Sequence, residues 1–174
     1  MSLSLIPDYV FQDYKSVTPA FLRELGVTML MTDLDYTLAP KSRRKPDDAV
    51  RRWLQELRDA GVTVMVISNN RSSTRAGEFC DALGVPFVRR AGKPSRRGLR
   101  EGMARAGKVP AECAFLGDKL LTDVLAAKRM GIPALMVEPL EGPVGAWNHV
   151  LHLLQRPFKS LSKHDQRERR GTGL

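Results

Sequence analysis

The stretch Val27-Thr28-Met29-Leu30-Met31-Thr32-Asp33-Leu34-Asp35-Tyr36-Thr37-Leu38 joins a short apolar run to two carboxylates one residue apart. A second run, Cys113 to Leu116, leads to Asp118, and a third, Thr63 to Ile67, leads to Ser68-Asn69. Phe87-Val88 and Ala134 to Val137 complete a set of five. Continuous Val, Ile, Leu and Met runs separated by helix-length segments indicate parallel strands buried on both faces. The joints carry the same punctuation. Ala60-Gly61-Val62, Leu83-Gly84-Val85-Pro86 and Met130-Gly131-Ile132-Pro133 each place a glycine where a helix stops and a strand begins. The expected fold is α/β, a doubly wound parallel sheet in three layers (α/β/α).

The helices between the strands show their faces. From Ala49 to Ala60, Val50, Trp53, Leu54 and Leu57 recur at helical spacing while Arg51, Arg52, Gln55, Glu56 and Arg58 point outward. Trp53 is therefore read as core. Pro94 suits the first turn of a helix continued by Leu99 and Met103, which leaves Lys93 in the preceding loop. Residues 1–24 read as an N-terminal packing arm, with Thr18 as N-cap before Pro19. Residues 25–161 form the main domain, closed by an amphipathic stretch from Ala146 to Leu161 in which Pro157 should end or kink the helix near Arg156. Residues 162–174 are charged, lack an apolar face and read as a disordered tail.

A chain of 174 residues suits one domain, and 28 Lys and Arg against 19 Asp and Glu, a formal charge of +9, favour anionic partners. Cys80 and Cys113 are distant in sequence and sit in apolar runs, as small buried hydrophobes in a reducing compartment do. Residues 1–14 lack the charged and apolar regions of a signal peptide, and no apolar run approaches the roughly 18 residues of a membrane span. The expected location is cytoplasmic, with a peripheral membrane contact as a secondary reading.

In an open parallel sheet, ligands bind at the carboxyl ends of the strands. Asp33, Asp35, Ser68, Asn69 and Asp118 all fall there. A carboxylate can attack phosphorus to form an acyl phosphate, and a second can donate a proton to the leaving oxygen. A divalent cation would offset the repulsion between carboxylates and phosphate, with Asp118 and Asp123 as hard oxygen donors of the kind Mg²⁺ prefers. Ser68, the Asn69 N–H and Lys93 supply a hydroxyl, an amide and a point charge for the phosphoryl oxygens.

Taken in order, Asp33-Leu34-Asp35-Tyr36-Thr37, Ser68-Asn69-Asn70, Lys93-Pro94 and Gly117-Asp118-Lys119-Leu120-Leu121-Thr122-Asp123 resemble the four motifs of the haloacid dehalogenase (HAD) superfamily. The resemblance implies Asp33 as nucleophile and metal ligand. It implies Asp35 as general acid/base with its backbone carbonyl on the metal, Ser68, Asn69 and Lys93 on the phosphoryl group, Asp118 on Mg²⁺, and Thr37 and Asp123 in support. An acid at position 35 is the mark of a phosphatase, since the family's phosphorylating ATPases usually carry Thr there. The implied strand order is 3-2-1-4-5, with no room for a large cap domain. Leu5-Ile6-Pro7, Thr18-Pro19 and Thr122-Asp123-Val124 look further like the YqeG-like branch of subclass IIIA, similar to the phosphatases of phosphatidylglycerophosphate. Two residues depart from that branch: Tyr36 stands where Asn is usual and Lys119 where Gln is usual.

The leading reading is thus a Mg²⁺-dependent phosphatase acting on an anionic phosphorylated substrate, with phosphatidylglycerophosphate as the candidate. The rival is a scaffold that binds a GTPase or the ribosome. A pI near 10 is compatible with nucleic-acid contact, but no aromatic-bearing RNA motif supports it. Lys41, Arg43, Arg44 and Lys45, and Arg89, Arg90, Arg96 and Arg97, are expected near the opening of the site, either as a steering field or as solvated loops. Arg71 and Arg75 divide equally between surface and phosphate roles, and His149, His152 and His164 are read as structural. Trp147, Phe158, Lys159 and Lys163 are the residues that would bring the last helix to a membrane surface.

Overall fold

Six strands form one parallel sheet in the computed structural model, which describes residues 4–70, 73–141 and 146–162. They are β1 (Tyr9–Phe11), β2 (Met29–Thr32), β3 (Thr63–Ile67), β4 (Phe87–Val88), β5 (Cys113–Gly117) and β6 (Ala134–Val137), in the order β1-β6-β5-β2-β3-β4. Counted without β1, the strands run 3-2-1-4-5 from the β4 edge, the order the family resemblance implied. The sixth strand is new. Tyr9-Val10-Phe11, inside the segment read as a packing arm, pairs with Leu135-Met136-Val137, because a β-branched residue flanked by two aromatics fits a pleated surface.

Helices α1 (Pro19–Glu24), α2 (Asp48–Asp59), α3 (Ser73–Leu83), α4 (Arg97–Ala106), α5 (Leu125–Met130) and α6 (Ala146–Ser160) flank the sheet. Alternate residues of each strand feed opposite cores. Leu30, Val64, Val66, Ala114 and Leu116 meet Leu57 of α2 and Phe79 and Cys80 of α3. Met29, Met31, Met65, Ile67 and Phe115 meet Leu99 and Met103 of α4 and Ala126 and Ala127 of α5. Each fully buried Leu, Ile, Met or Phe contributes about 1.5–3 kcal/mol, so both faces must be covered for the sheet to hold.

Local chemistry sets the helix ends. The Thr18 hydroxyl accepts from the Phe21 N–H at 3.2 Å, and the Asp47 carboxylate accepts from the Val50 N–H at 3.0 Å. Trp53 packs as expected, its Nε1 donating to the Val17 carbonyl at 2.9 Å and its ring edge-on to Tyr14. Three local expectations need correction. Pro94 does not open a helix: it lies in a turn, and α4 begins at Arg97. Pro157 does not end α6, which runs on to Ser160; one missing N–H in the last turn is a small loss. Phe158 and Lys159 face inward, Phe158 onto the second core and the Lys159 ammonium 2.6 Å from the Glu138 carboxylate.

Both cysteines are buried and free, with their thiols pushed up by burial, Cys80 to about 12 and Cys113 to about 11. His152 lies 3.2 Å from Glu138. Arg71, Lys163, His164 and the rest of the 163–174 tail lie outside the described residues, as do the side chains of Trp147 and His149. Among the described residues, no helix is long and apolar enough to cross a membrane.

Candidate active site

Asp33 follows β2 and Asp118 follows β5, and these strands are neighbours, with Thr32 opposite Leu116. The Asp33 N–H continues the ladder to the Leu116 carbonyl at 2.9 Å, so both carboxylates leave the same sheet edge side by side. Asp123 joins them from a single π-helical turn, Leu120–Val124, in which the Val124 N–H reaches back to the Lys119 carbonyl. The close approach depends on Gly117. A Cβ there would stand 2.4 Å from the Asp123 carboxylate, so only glycine lets that side chain tuck under the end of β5.

Lys93 lies at the centre of this acidic group. Its Nζ is 2.8 Å from Asp33 Oδ1 and 2.8 Å from Asp123 Oδ1, and it also lies over the Phe115 ring. Burial alone would lower its pKa, but Asp123 and Asp33 outweigh burial and raise it. Two contacts fix its backbone. Asn69 Oδ1 accepts from the Lys93 N–H and Asn69 Nδ2 donates to the Lys93 carbonyl, each at 2.8 Å, which clasps the lysine loop to the end of β3. Gly98 adds to this, since a Cβ on it would meet Ala91 Cβ at 2.5 Å; α4 therefore packs directly against the loop that carries Lys93.

Asp35 has partners of its own. It is paired with the Arg75 guanidinium and receives Asn70 Nδ2 at 3.4 Å. Arg75 also donates to the carbonyls of Pro40 at 2.7 Å and Arg43 at 3.1 Å, tying α3 to the loop after Asp35. Sequence reasoning left Arg75 undecided between surface and phosphate; its position on the first turn after Ser68 was the available signal. Ser68 is buried and its Oγ accepts from the Asn70 N–H at 3.1 Å. Thr37 donates to Asp118 at 3.3 Å.

Asp33, Asp35, Ser68, Asn69, Lys93 and Asp123 line one cavity of about 340 Å³, together with Asn70, Thr122, Lys41 and Lys119. Of the eight basic loop residues expected near the opening, Lys41 lines it. Arg43 pairs with Asp47, Arg44 lies 3.8 Å from Glu78, and Arg89, Arg90 and Arg97 border a separate groove with Glu101 and Arg105.

Oxygen atoms of Asp33, Asp118 and Asp123, all buried, approach within 4.8 Å of one another. Burial pushes Asp118 up to about 7, against the Lys119 ammonium and with the added repulsion of Asp123 and Asp33. Converging hard oxygens under mutual repulsion fit a divalent cation such as Mg²⁺, which would neutralise them and polarise a phosphoryl oxygen. The chain's own groups then divide the remaining work. Asp33 presents a carboxylate oxygen, Lys93 fixes it, and Asp35 stands two residues on at the cavity wall.

An open parallel sheet with paired acids after its first inner strand, a buried lysine and a third acid on the neighbouring strand defines a hydrolase class. Residues 8–131 match the haloacid dehalogenase-like hydrolase family, and the chain belongs to it. It is 31% identical over 158 residues to "Probable phosphatase YqeG" of Bacillus subtilis (strain 168), a match covering 91% of both chains. Two solved structures share the fold: the hypothetical protein XCC2798 from Xanthomonas campestris (18% identity, 90% of this chain and 82% of that one, TM-score 0.54) and an uncharacterized protein from Listeria monocytogenes serotype 4b (15%, 75% and 99%, 0.53).

Proposed function

We propose that this chain is a Mg²⁺-dependent phosphatase that hydrolyses a phosphomonoester through a phosphoaspartate on Asp33. The observation that carries the reading is the buried Asp33, its carboxylate held at 2.8 Å by a lysine that Asn69 clasps in place. An in-line attack needs its nucleophile fixed before the substrate arrives. Asp33 Oδ attacks phosphorus while the leaving oxygen takes a proton from Asp35. Water then attacks the acyl phosphate, with Asp35 accepting its proton, and Asp33 and inorganic phosphate are released. Ser68, the Asn69 N–H and Lys93 hold the phosphoryl oxygens, with Asp33, the Asp35 carbonyl and Asp118 as metal ligands and Thr37 and Asp123 in support.

The proposed substrate is phosphatidylglycerophosphate, hydrolysed to phosphatidylglycerol. Two features support a bulky, surface-borne substrate. The stretch from Asp35 to α2 is a short loop and that from Ser68 to Lys93 is filled by α3 and β4, so neither has room for a large cap domain over the cavity. On α6, Val150, Leu153 and Leu154 are exposed, and Leu161 just beyond is too, an apolar row suited to peripheral membrane contact in the cytoplasm. A scaffold kept only for a GTPase or ribosomal partner has no need of four carboxylates in and around one cavity, each at a desolvation cost. The test is phosphate release from phosphatidylglycerophosphate, sugar phosphates and nucleotides, with Mg²⁺ or EDTA. Metal-dependent release, fastest on the lipid, is expected; a preference for a soluble compound overturns the lipid assignment, and no release from any overturns the enzyme reading.

A further inference from the structure

Tyr36 and Lys119, both beside the Asp33 cavity, meet in space. The Lys119 ammonium lies 5.6 Å from the centroid of the Tyr36 ring, and a third residue, Lys41, lies 5.7 Å from the same centroid. Tyr36 takes a left-handed backbone (φ 65°), and its N–H and C=O are tied to Ala39 and Leu140 at 2.8 Å, so the ring is presented from a fixed turn. A β-branched or bulky residue in that region carries strain that persists only where surrounding contacts enforce it. Both lysines line the Asp33 cavity.

Their charges are not equally committed. Lys93 is bound by Asp33 and Asp123, Arg75 by Asp35, and Lys119 by Asp118 at 3.2 Å. Lys41 is exposed and, among the described residues, has no carboxylate within ion-pair distance. A ring face attracts a cation without neutralising it, so it can hold an ammonium in position while leaving its N–H donors free for an anion. The cavity, at about 340 Å³, lies at the small end of ligand-pocket volumes and admits a phosphoryl group with the first atoms of its leaving group.

We propose that Lys41, positioned with Lys119 by the Tyr36 ring, forms a second anion subsite at the mouth of the Asp33 cavity. It selects phosphomonoesters whose leaving group carries a further phosphate, phosphodiester or carboxylate a few atoms from the scissile bond. The subsite rests on the phosphatase reading and deepens it: Lys93 and Ser68 receive the group to be transferred, and Lys41 receives the anion that stays with the alcohol.

The experiment pairs 1,3-propanediol bisphosphate with propyl phosphate as substrates, and propane-1,3-bisphosphonate with propylphosphonate in titration calorimetry, all in Mg²⁺. The intact chain should favour the doubly anionic member of each pair by about tenfold, the worth of one charge-assisted hydrogen bond. Lys41→Gln should bring the ratio close to one, Lys41→Arg should retain it, and Arg52→Gln, an equal loss of charge on the exposed face of α2, should leave it intact. Erosion of the ratio by Arg52→Gln as much as by Lys41→Gln means a long-range field and overturns the subsite. Equal affinities of the two phosphonates for the intact chain overturn it as well. Selective phosphonate binding without hydrolysis of either ester would uphold the subsite and reject the phosphatase reading.

Discussion

Asp118 shows how a single residue reports on the site. Its carboxyl stands near 7 rather than 3.8, chiefly through burial, so it keeps a proton in the fold where the unfolded chain has lost one. Its contribution to stability therefore declines as pH rises from about 4 to about 7 in metal-free protein. Melting temperatures across that range should fall less for Asp118→Asn than for the parent, and Mg²⁺ should raise the parent's melting temperature more at pH 8 than at pH 5. An equal rise at both would show that the ion does not use this carboxylate. Arg75 carries a second prediction. Removing it takes from Asp35 its ion-pair partner and from the carbonyls of Pro40 and Arg43 the guanidinium donor that ties them to α3, so Arg75→Met should lower kcat by roughly tenfold to a hundredfold with a smaller change in KM. A change confined to KM would mean that Arg75 contacts substrate directly. At this scale the sequence was readable where motifs spoke. Asp33, Ser68, Asn69, Lys93 and Asp123 line one cavity, and Asp118 meets Asp33 and Asp123 beside it. Lys41 was legible as one of the basic residues near the opening, but its contact with the Tyr36 ring was not, nor were the partners of Arg75 and of the Asn69 side chain, because ring faces, backbone carbonyls and amides are brought near only by the folded loops.

Among the elements, the π-helical turn Leu120–Val124 and the end of β5 form one unit. Gly117→Ala would place a methyl against Asp123 and push it off Lys93. A loss of about 2–4 kcal/mol is expected from chemical denaturation, of the size found for overpacking that also disturbs a buried ion pair; a loss below 0.5 kcal/mol would show that the turn yields freely. Helix α6 offers another prediction at this scale. Its exposed Leu153 and Leu154 should carry the chain onto anionic vesicles in flotation, and Leu153→Ser with Leu154→Ser should release it; equal flotation of both forms would exclude this face. Strand and helix identities were legible because continuous apolar runs and 3.6-residue stripes leave little choice. The start of α4 and the passage of α6 through Pro157 were not, because proline statistics describe preferences that tertiary packing overrides. β1 escaped notice for a different reason: three residues are too few for a period, and pairing with β6 across the sheet is what makes them a strand.

On the scale of the whole molecule, the order β4-β3-β2-β5-β6 turns motifs separated by up to 90 residues in sequence into one sheet edge. That order was implied by family resemblance, not by periodicity, which shows that strands exist without showing which are neighbours. The net charge of +9 is likewise a statement about attraction to anions, and the structure distributes it unevenly: Lys41 at the cavity, and Arg89, Arg90 and Arg97 in a groove of their own. Function at this scale reduces to whether the fixed carboxylate after β2 becomes covalently phosphorylated. The most direct measurement is acid quench during turnover on a phosphomonoester with Mg²⁺, followed by peptide mass analysis. The account predicts one phosphoryl group on the peptide holding Asp33, absent in Asp33→Asn, which also loses phosphate release; an active enzyme with that peptide unmodified, or Asp33→Asn retaining full activity, would contradict it.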